Sequence, residues 1–184
     1  MALKGIAIVG KSNEPLYMCD CLRLSADSSG SNCSTIPQEE NDHFGFAGAH
    51  TEQRNSLPLQ SQIIMHAALD CLEENVQALA NGQMPVIRNP TRSAPHWVGL
   101  LLEADGQAVY GYITATNIKF LALTGGKCDP KVLQRLMGEL HQHYSAHVNN
   151  PFSNTRGPII SKQFDERIAT SVAEVTHLEM VVVD

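Results

Sequence analysis

The chain has no apolar run approaching the roughly 18 residues of a membrane span. Its opening, Met1-Ala2-Leu3-Lys4-Gly5, moves straight into strand-like sequence and lacks the parts of a secretory signal. Basic residues are scarce: 13 Lys and Arg stand against 19 Asp and Glu, for a net charge of −6. Phosphate binding needs clustered cations, so nucleic acid is a poor main partner. The five cysteines, Cys19, Cys21, Cys33, Cys71 and Cys128, form an odd set without framework spacing. Reduced thiols in a cytosolic setting are the expectation. Zinc would need paired C-x-x-C-like spacing, which is missing, so no metal site is expected. There is no G-x-S-x-G element for a nucleophilic serine.

What is present suits one α+β domain. A folded unit of about 150 residues buries roughly 68–70% of its unfolded-chain surface, enough for a core. Apolar residues make up 43% of the 184, slightly low for a fully folded chain. Residues 25–58 account for the shortfall. They hold Ser28-Ser29-Gly30-Ser31-Asn32, few large apolar side chains, and Asp27, Glu39, Glu40, Asp42 and Glu52 against Arg54 alone. Such a segment cannot bury enough surface to offset its ordering entropy, so it reads as an acidic, disordered insertion. Phe44-Gly45-Phe46 within it reads as unremarkable loop rather than as a docking spot.

The remaining pattern gives the elements in order. Residues 5–9 and 16–22 read as two strands joined by the turn sequence Ser12-Asn13-Glu14-Pro15. Residues 59–80 read as a helix ended by Asn81-Gly82. Residues 84–95 carry three prolines and read as loop. Residues 97–124 read as a three-stranded meander with Asp105-Gly106 as its hairpin turn. Asp129-Pro130 places an N-cap and an N1 proline before a helix whose apolar positions are Val132, Leu133, Leu136, Met137, Leu140 and Tyr144. Ser161 caps a third helix with Phe164, Ile168, Val172 and Val175 on one face, and residues 179–184 are left as a tail. Strands in a meander with segregated helices make an α+β layer architecture.

Three motifs look like chemistry. Gly5-Ile6-Ala7-Ile8-Val9-Gly10-Lys11-Ser12 matches the phosphate-binding pattern G-x-x-x-x-G-K-[ST]. Its central Ile-Ala-Ile-Val favours a buried strand over an anion nest, and Asn13-Glu14-Pro15 follows where a helix is needed. Nucleotide binding is therefore the remote alternative. His141, His143 and His147 share the second helix, with 143 and 147 on one face, but the glutamate of a zinc protease is missing between them. A polar histidine face is expected. Asn150-Pro151-Phe152 is a short linear motif type read by endocytic adaptor domains when displayed in a disordered tail. Between two helices the expectation is structural, with Pro stopping the helix and Phe filling the core.

The first helix carries the most informative stretch. Ile64, Ala68, Cys71, Leu72, Val76 and Leu79 recur at helical spacing, and Gln62, His66, Asp70, Glu73, Glu74 and Gln77 fall mainly on the other side. Asp70 costs helix propensity; solvation or a pairing with His66 four residues earlier explains it on residue physics alone. Glu74 stands four residues further on, without a companion nucleophile, so no catalytic role is expected of the pair.

This helix, with its His66-Ala67-Ala68-Leu69-Asp70 run, resembles the sedlin family of TRAPP complex subunits. So do Ile6-Ala7-Ile8-Val9-Gly10 with Pro15-Leu16-Tyr17, Val109-Tyr110-Gly111-Tyr112-Ile113-Thr114 with Lys119-Phe120, and Asn150-Pro151-Phe152 with Phe164-Asp165. The four stretches occur in family order and span about three quarters of the chain. The resemblance implies a longin-like (SNARE-like) fold, a five-stranded antiparallel sheet with one helix on one face and two on the other, over residues 1–178. It implies a non-catalytic adaptor subunit of a vesicle-tethering and Rab guanine-nucleotide-exchange complex in ER-to-Golgi and Golgi transport. The implied partners are other TRAPP core and peripheral subunits, with a Rab GTPase reached indirectly and membranes met only through the complex. The implied location is the cytoplasm, associated with the endoplasmic reticulum and Golgi. No cofactor is implied. Asp70, with His66 and Glu74, is the implied partner-binding spot, and the insertion before the helix is placed to regulate or obstruct it. Sedlin itself or another longin-domain trafficking adaptor is the neighbouring alternative. A SNARE is disfavoured because no coiled-coil heptads follow the domain.

Overall fold

A computed structural model describes residues 2–22, 57–81, 96–153 and 157–181. Strands β1 (Leu3–Val9) and β2 (Pro15–Asp20) form a hairpin; helix α1 (Leu59–Ala80) follows. Then come β3 (Trp97–Ala104), β4 (Gln107–Ile113) and β5 (Lys119–Thr124), and helices α2 (Pro130–Val148) and α3 (Lys162–Val181). The strands form one antiparallel sheet in the order β2-β1-β5-β4-β3.

The central strands are buried on both faces. From β1, Ile6 and Ile8 enter one core while Ala7 and Val9 enter the other. From β5, Phe120 and Ala122 oppose Leu121 and Leu123 in the same way. A strand covered on both sides needs consecutive apolar residues rather than alternation. That requirement explains Ile-Ala-Ile-Val. One core is closed by α2 and α3 through Leu133, Leu136, Met137, Leu140, Phe164 and Ile168. The other is closed by α1 through Ile64, Met65, Ala68, Leu69 and Leu72. The architecture is the α+β longin-like arrangement, with one helix on one face of the sheet and two on the other.

Local chemistry sets the element ends. Asp105 and Gly106 both have positive φ, 52° and 69°, as a two-residue hairpin turn of the I′ type requires. The Asp129 side chain accepts the Lys131 amide proton at 2.9 Å and caps α2. Ser161 Oγ accepts the Phe164 amide proton at 3.4 Å at the start of α3. The second strand stops at Asp20, short of the expected Leu22, because the Asp20 carboxylate accepts the Leu22 amide proton and turns the chain. Helix α3 runs on to Val181, into the stretch read as a tail. The segments 25–56 and 84–95 and the Phe44-Gly45-Phe46 sequence lie outside the described residues. Leu57, at the edge of the acidic segment, is buried in the α1-side core, directly against Gly5.

One polar contact clamps α1 to the sheet. The Lys119 side chain at the start of β5 is only 3% exposed. Its ammonium donates to Glu73 Oε1 on α1 at 2.9 Å and to Asn13 Oδ1 at 2.5 Å. Asn13, in the left-handed conformation at φ 64°, also donates its amide to Glu73 Oε1 at 2.8 Å. The three groups join the β1–β2 turn, β5 and α1. Hydrogen bonds from Lys119 and then Asn13 hold the Glu73 carboxyl below its ordinary value of 4.5.

The partners are unequal, since Glu73 is 36% exposed and Lys119 is buried. Removing Glu73 strands a buried cation, whereas Lys119→Met puts an apolar chain in its place and leaves a partly solvated carboxylate. Glu73→Ala is expected to cost about 3 kcal/mol and Lys119→Met about 1 kcal/mol, in chemical denaturation near neutral pH. Equal losses would remove the asymmetry.

Acid is expected to destabilise the fold in two stages. Burial, aided by His96 for His141 and by Arg167 for His143, holds both histidines below their ordinary 6.5. Their unfolded forms take up protons first, so their contribution is complete above pH 6.5 and is lost as pH falls through their lowered folded values. The Glu73 contribution is complete above pH 4.5 and is lost as pH falls through its own lowered value. Thermal melts across pH 3–8 check this, and Glu73→Ala should flatten only the lower stage.

Candidate functional site

Helix α1 is held to the sheet along one side, which decides what its other side shows. Its buried residues are Ser61, Ile64, Met65, Ala68, Leu69, Leu72 and Asn75. Cys71 and Val76, expected on the core face, lie half-buried at its margins. Facing outward are Leu59, 72% exposed, and Ile63, 62% exposed, followed by His66, Ala67, Asp70 and Glu74. At steps of three and four residues these make one stripe along the helix. It is apolar at its N-terminal end and acidic toward its C-terminal end.

The structure therefore brings His66, Asp70 and Glu74 onto one exposed surface, as the sequence pattern expects. His66 Nδ1 and Asp70 Oδ2 are 3.9 Å apart, with both side chains well exposed. Such a pair contributes little to stability, about 0–1 kcal/mol. Glu73, grouped by sequence with that polar face, belongs instead to the Lys119 clamp. Leu59 and Ile63 were not anticipated on this surface. Their signal was present, because positions 59, 63 and 67 follow each other at i, i+4 out of phase with Ile64, Ala68 and Leu72. The surface thus sets an exposed apolar pair beside three titratable side chains.

The other candidates take different forms. After β1 the chain turns rather than entering a helix. The Gly10 amide donates to the Glu14 carbonyl at 2.8 Å, the Asn13 amide to the Gly10 carbonyl at 3.2 Å, and β2 begins at Pro15. The Ser12 amide donates to Glu14 Oε2 at 2.8 Å, so a carboxylate occupies the place a phosphate would take. The helix-borne histidines diverge. His141 Nδ1 meets the Tyr112 hydroxyl at 3.0 Å, His143 Nε2 meets Ser171 Oγ at 3.0 Å, and the His147 ring packs on Phe164 with centroids 5.6 Å apart. No three metal-ligating side chains converge among the described residues. Cys19 and Cys21 are buried together on the inner face of β2 and the turn after it, and a hydrogen bond with Cys19, then burial, pushes the Cys21 thiol well up. Phe152, expected to fill the core, is instead 96% exposed; the Asn150 side chain accepts its amide proton and turns it outward.

The sedlin family model matches residues 8–174. The chain is 24% identical over 141 residues to the trafficking protein particle complex subunit 2-like protein of Xenopus tropicalis, covering 75% of this chain and 94% of that one. It is 21% identical over 173 residues to the Bos taurus protein of the same name, covering 92% and 96%. The Dictyostelium discoideum protein of that name is 25% identical over 169 residues, covering 91% and 94%. These relatives are the branch of the family that the Pro15-Leu16-Tyr17 and Val109–Thr114 runs resemble. With a match extending from within β1 into the second half of α3, and with the sheet and helices in the arrangement such a chain requires, this protein belongs to the sedlin family.

Proposed function

We propose that this chain is a non-catalytic adaptor subunit of a TRAPP vesicle-tethering and Rab guanine-nucleotide-exchange complex, acting in ER-to-Golgi and Golgi transport. The exposed stripe of α1 carries the reading. Leu59 and Ile63 offer apolar area to a neighbouring subunit, and His66, Asp70 and Glu74 give that contact its polar register. Family membership and the relatives' names support the assignment to the complex. The Rab GTPase is engaged through the complex rather than by this chain. No helix among the described residues is long and apolar enough to cross a membrane. In this reading the subunit works in the cytoplasm and reaches ER and Golgi membranes with its partners.

An exposed site allows binding to be separated from folding. Asp70→Tyr and Ile63→Ser should each change stability by no more than about 0.5 kcal/mol, as surface substitutions do. Each should lower recovery of TRAPP subunits in native affinity purification by about tenfold. Equal recovery by mutant and wild type would remove the α1 stripe as the contact. An unfolded mutant would reassign the effect to stability.

A further inference from the structure

Helix α2 ends at the C-cap Asn149, and the next four residues form a closed turn. The Ser153 amide donates to the Asn150 carbonyl at 3.1 Å, which closes a β-turn over Asn150–Ser153. Pro151 sits at the second position, where its fixed φ suits the turn. The Asn150 side chain folds back to accept the Phe152 amide proton at 3.0 Å. Ser153 Oγ donates to the carbonyl of Asn150 and to that of His147, tying the turn to the last turn of α2. The turn is thus held by its own polar groups, and Phe152 contributes none of its ring to the fold. With 96% of its surface exposed, it is the most exposed large apolar residue among those described. Ile160, 79% exposed, lies with Phe152 along the same cleft of about 380 Å³ between α2 and α3.

We infer that Asn150-Pro151-Phe152 is a preformed ligand for an adaptor domain of the endocytic, Asn-Pro-Phe-reading type, one with an apolar pocket for the phenyl ring and polar groups at its mouth for Asn150. The sequence matches that motif class, the aromatic ring is presented to solvent, and the backbone is already fixed. A flexible tail loses conformational freedom when its motif docks; this turn has lost it in folding, so binding retains more of the contact energy. Ile160 extends the apolar contact beyond the three-residue motif. The site lies at the α2–α3 end of the molecule, on the face of the sheet opposite α1, and does not rest on the assignment of the α1 stripe.

The test uses the full chain immobilised on a biosensor and a purified endocytic adaptor domain that binds Asn-Pro-Phe peptides. Wild type should bind, and free Asn-Pro-Phe peptide should compete. Phe152→Ala and Asn150→Ala should each weaken binding about tenfold or more, and Phe152→Ala should melt at the wild-type temperature because the ring is exposed. Wild-type binding no stronger than that of Phe152→Ala would overturn the proposal. So would wild-type binding that the free peptide leaves intact, a readout that stands even if a variant fails to fold. Self-association of the chain that Phe152→Ala abolishes, without adaptor-domain binding, would overturn it by giving the turn to a second copy.

Discussion

Strands β1 and β5 sit at the middle of the sheet with a packed layer on each side, and this two-sided burial governs the rest of the molecule. Along Gly5–Val9 and Lys119–Thr124, where every residue is buried, a polar side chain needs a partner. Lys119 begins β5 inside that constraint, and its ammonium must therefore be met by Glu73 and Asn13. Meeting it acts together with the buried Ile64, Met65, Ala68, Leu69 and Leu72 to set the rotation of α1. The same face that packs on the sheet thereby decides which residues of α1 point outward.

The two helical layers use their outer surfaces differently. On α1, apolar Leu59 and Ile63 remain in solvent beside the acidic positions, the stripe on which the proposed subunit contact rests. On the other side of the sheet, the histidines of α2 are engaged within the domain, by Tyr112, Ser171 and Phe164. Tyr17 links β2 to α3 by donating to Asp165 Oδ1 at 2.8 Å. The polar groups of His141, His143 and Tyr17 are used there to hold helices in place, while His147 contributes ring packing. Left in solvent on this side are Ile160 and Phe152, the latter turned away from the core by the turn after α2.

Much of this was legible from local pattern. The exact run of α1, the Asp129 cap, the Asp105-Gly106 turn and the core faces of α2 and α3 all follow from periodicity and short-range chemistry. Asp70, His66 and Glu74 were legible as a helix face for the same reason. What failed to show were contacts between residues far apart in sequence and the local hydrogen bonds that aim the turn after α2. Glu73 reads as another surface acid until Lys119, 46 residues away, is placed against it. Phe152 reads as a core residue because a hydrophobic side chain between two helices ordinarily is one. Its exposure depends on hydrogen bonds that swing the turn outward.

The apparent phosphate-binding motif divides the two kinds of information most clearly. By itself the sequence determined that residues 6–9 would be a buried strand, since four consecutive apolar residues, two of them β-branched isoleucines, have no other stable place. It determined the helix, strand and turn order by the same short-range preferences, and with that order the fold class. Only the tertiary structure decided that Lys119 would recruit Glu73, and that Leu59, Ile63 and Phe152 would be left facing water. Periodicity reports which side of an element is apolar; the partner that covers that side, or fails to, is supplied by chain distant in sequence and exists only once the layers have packed.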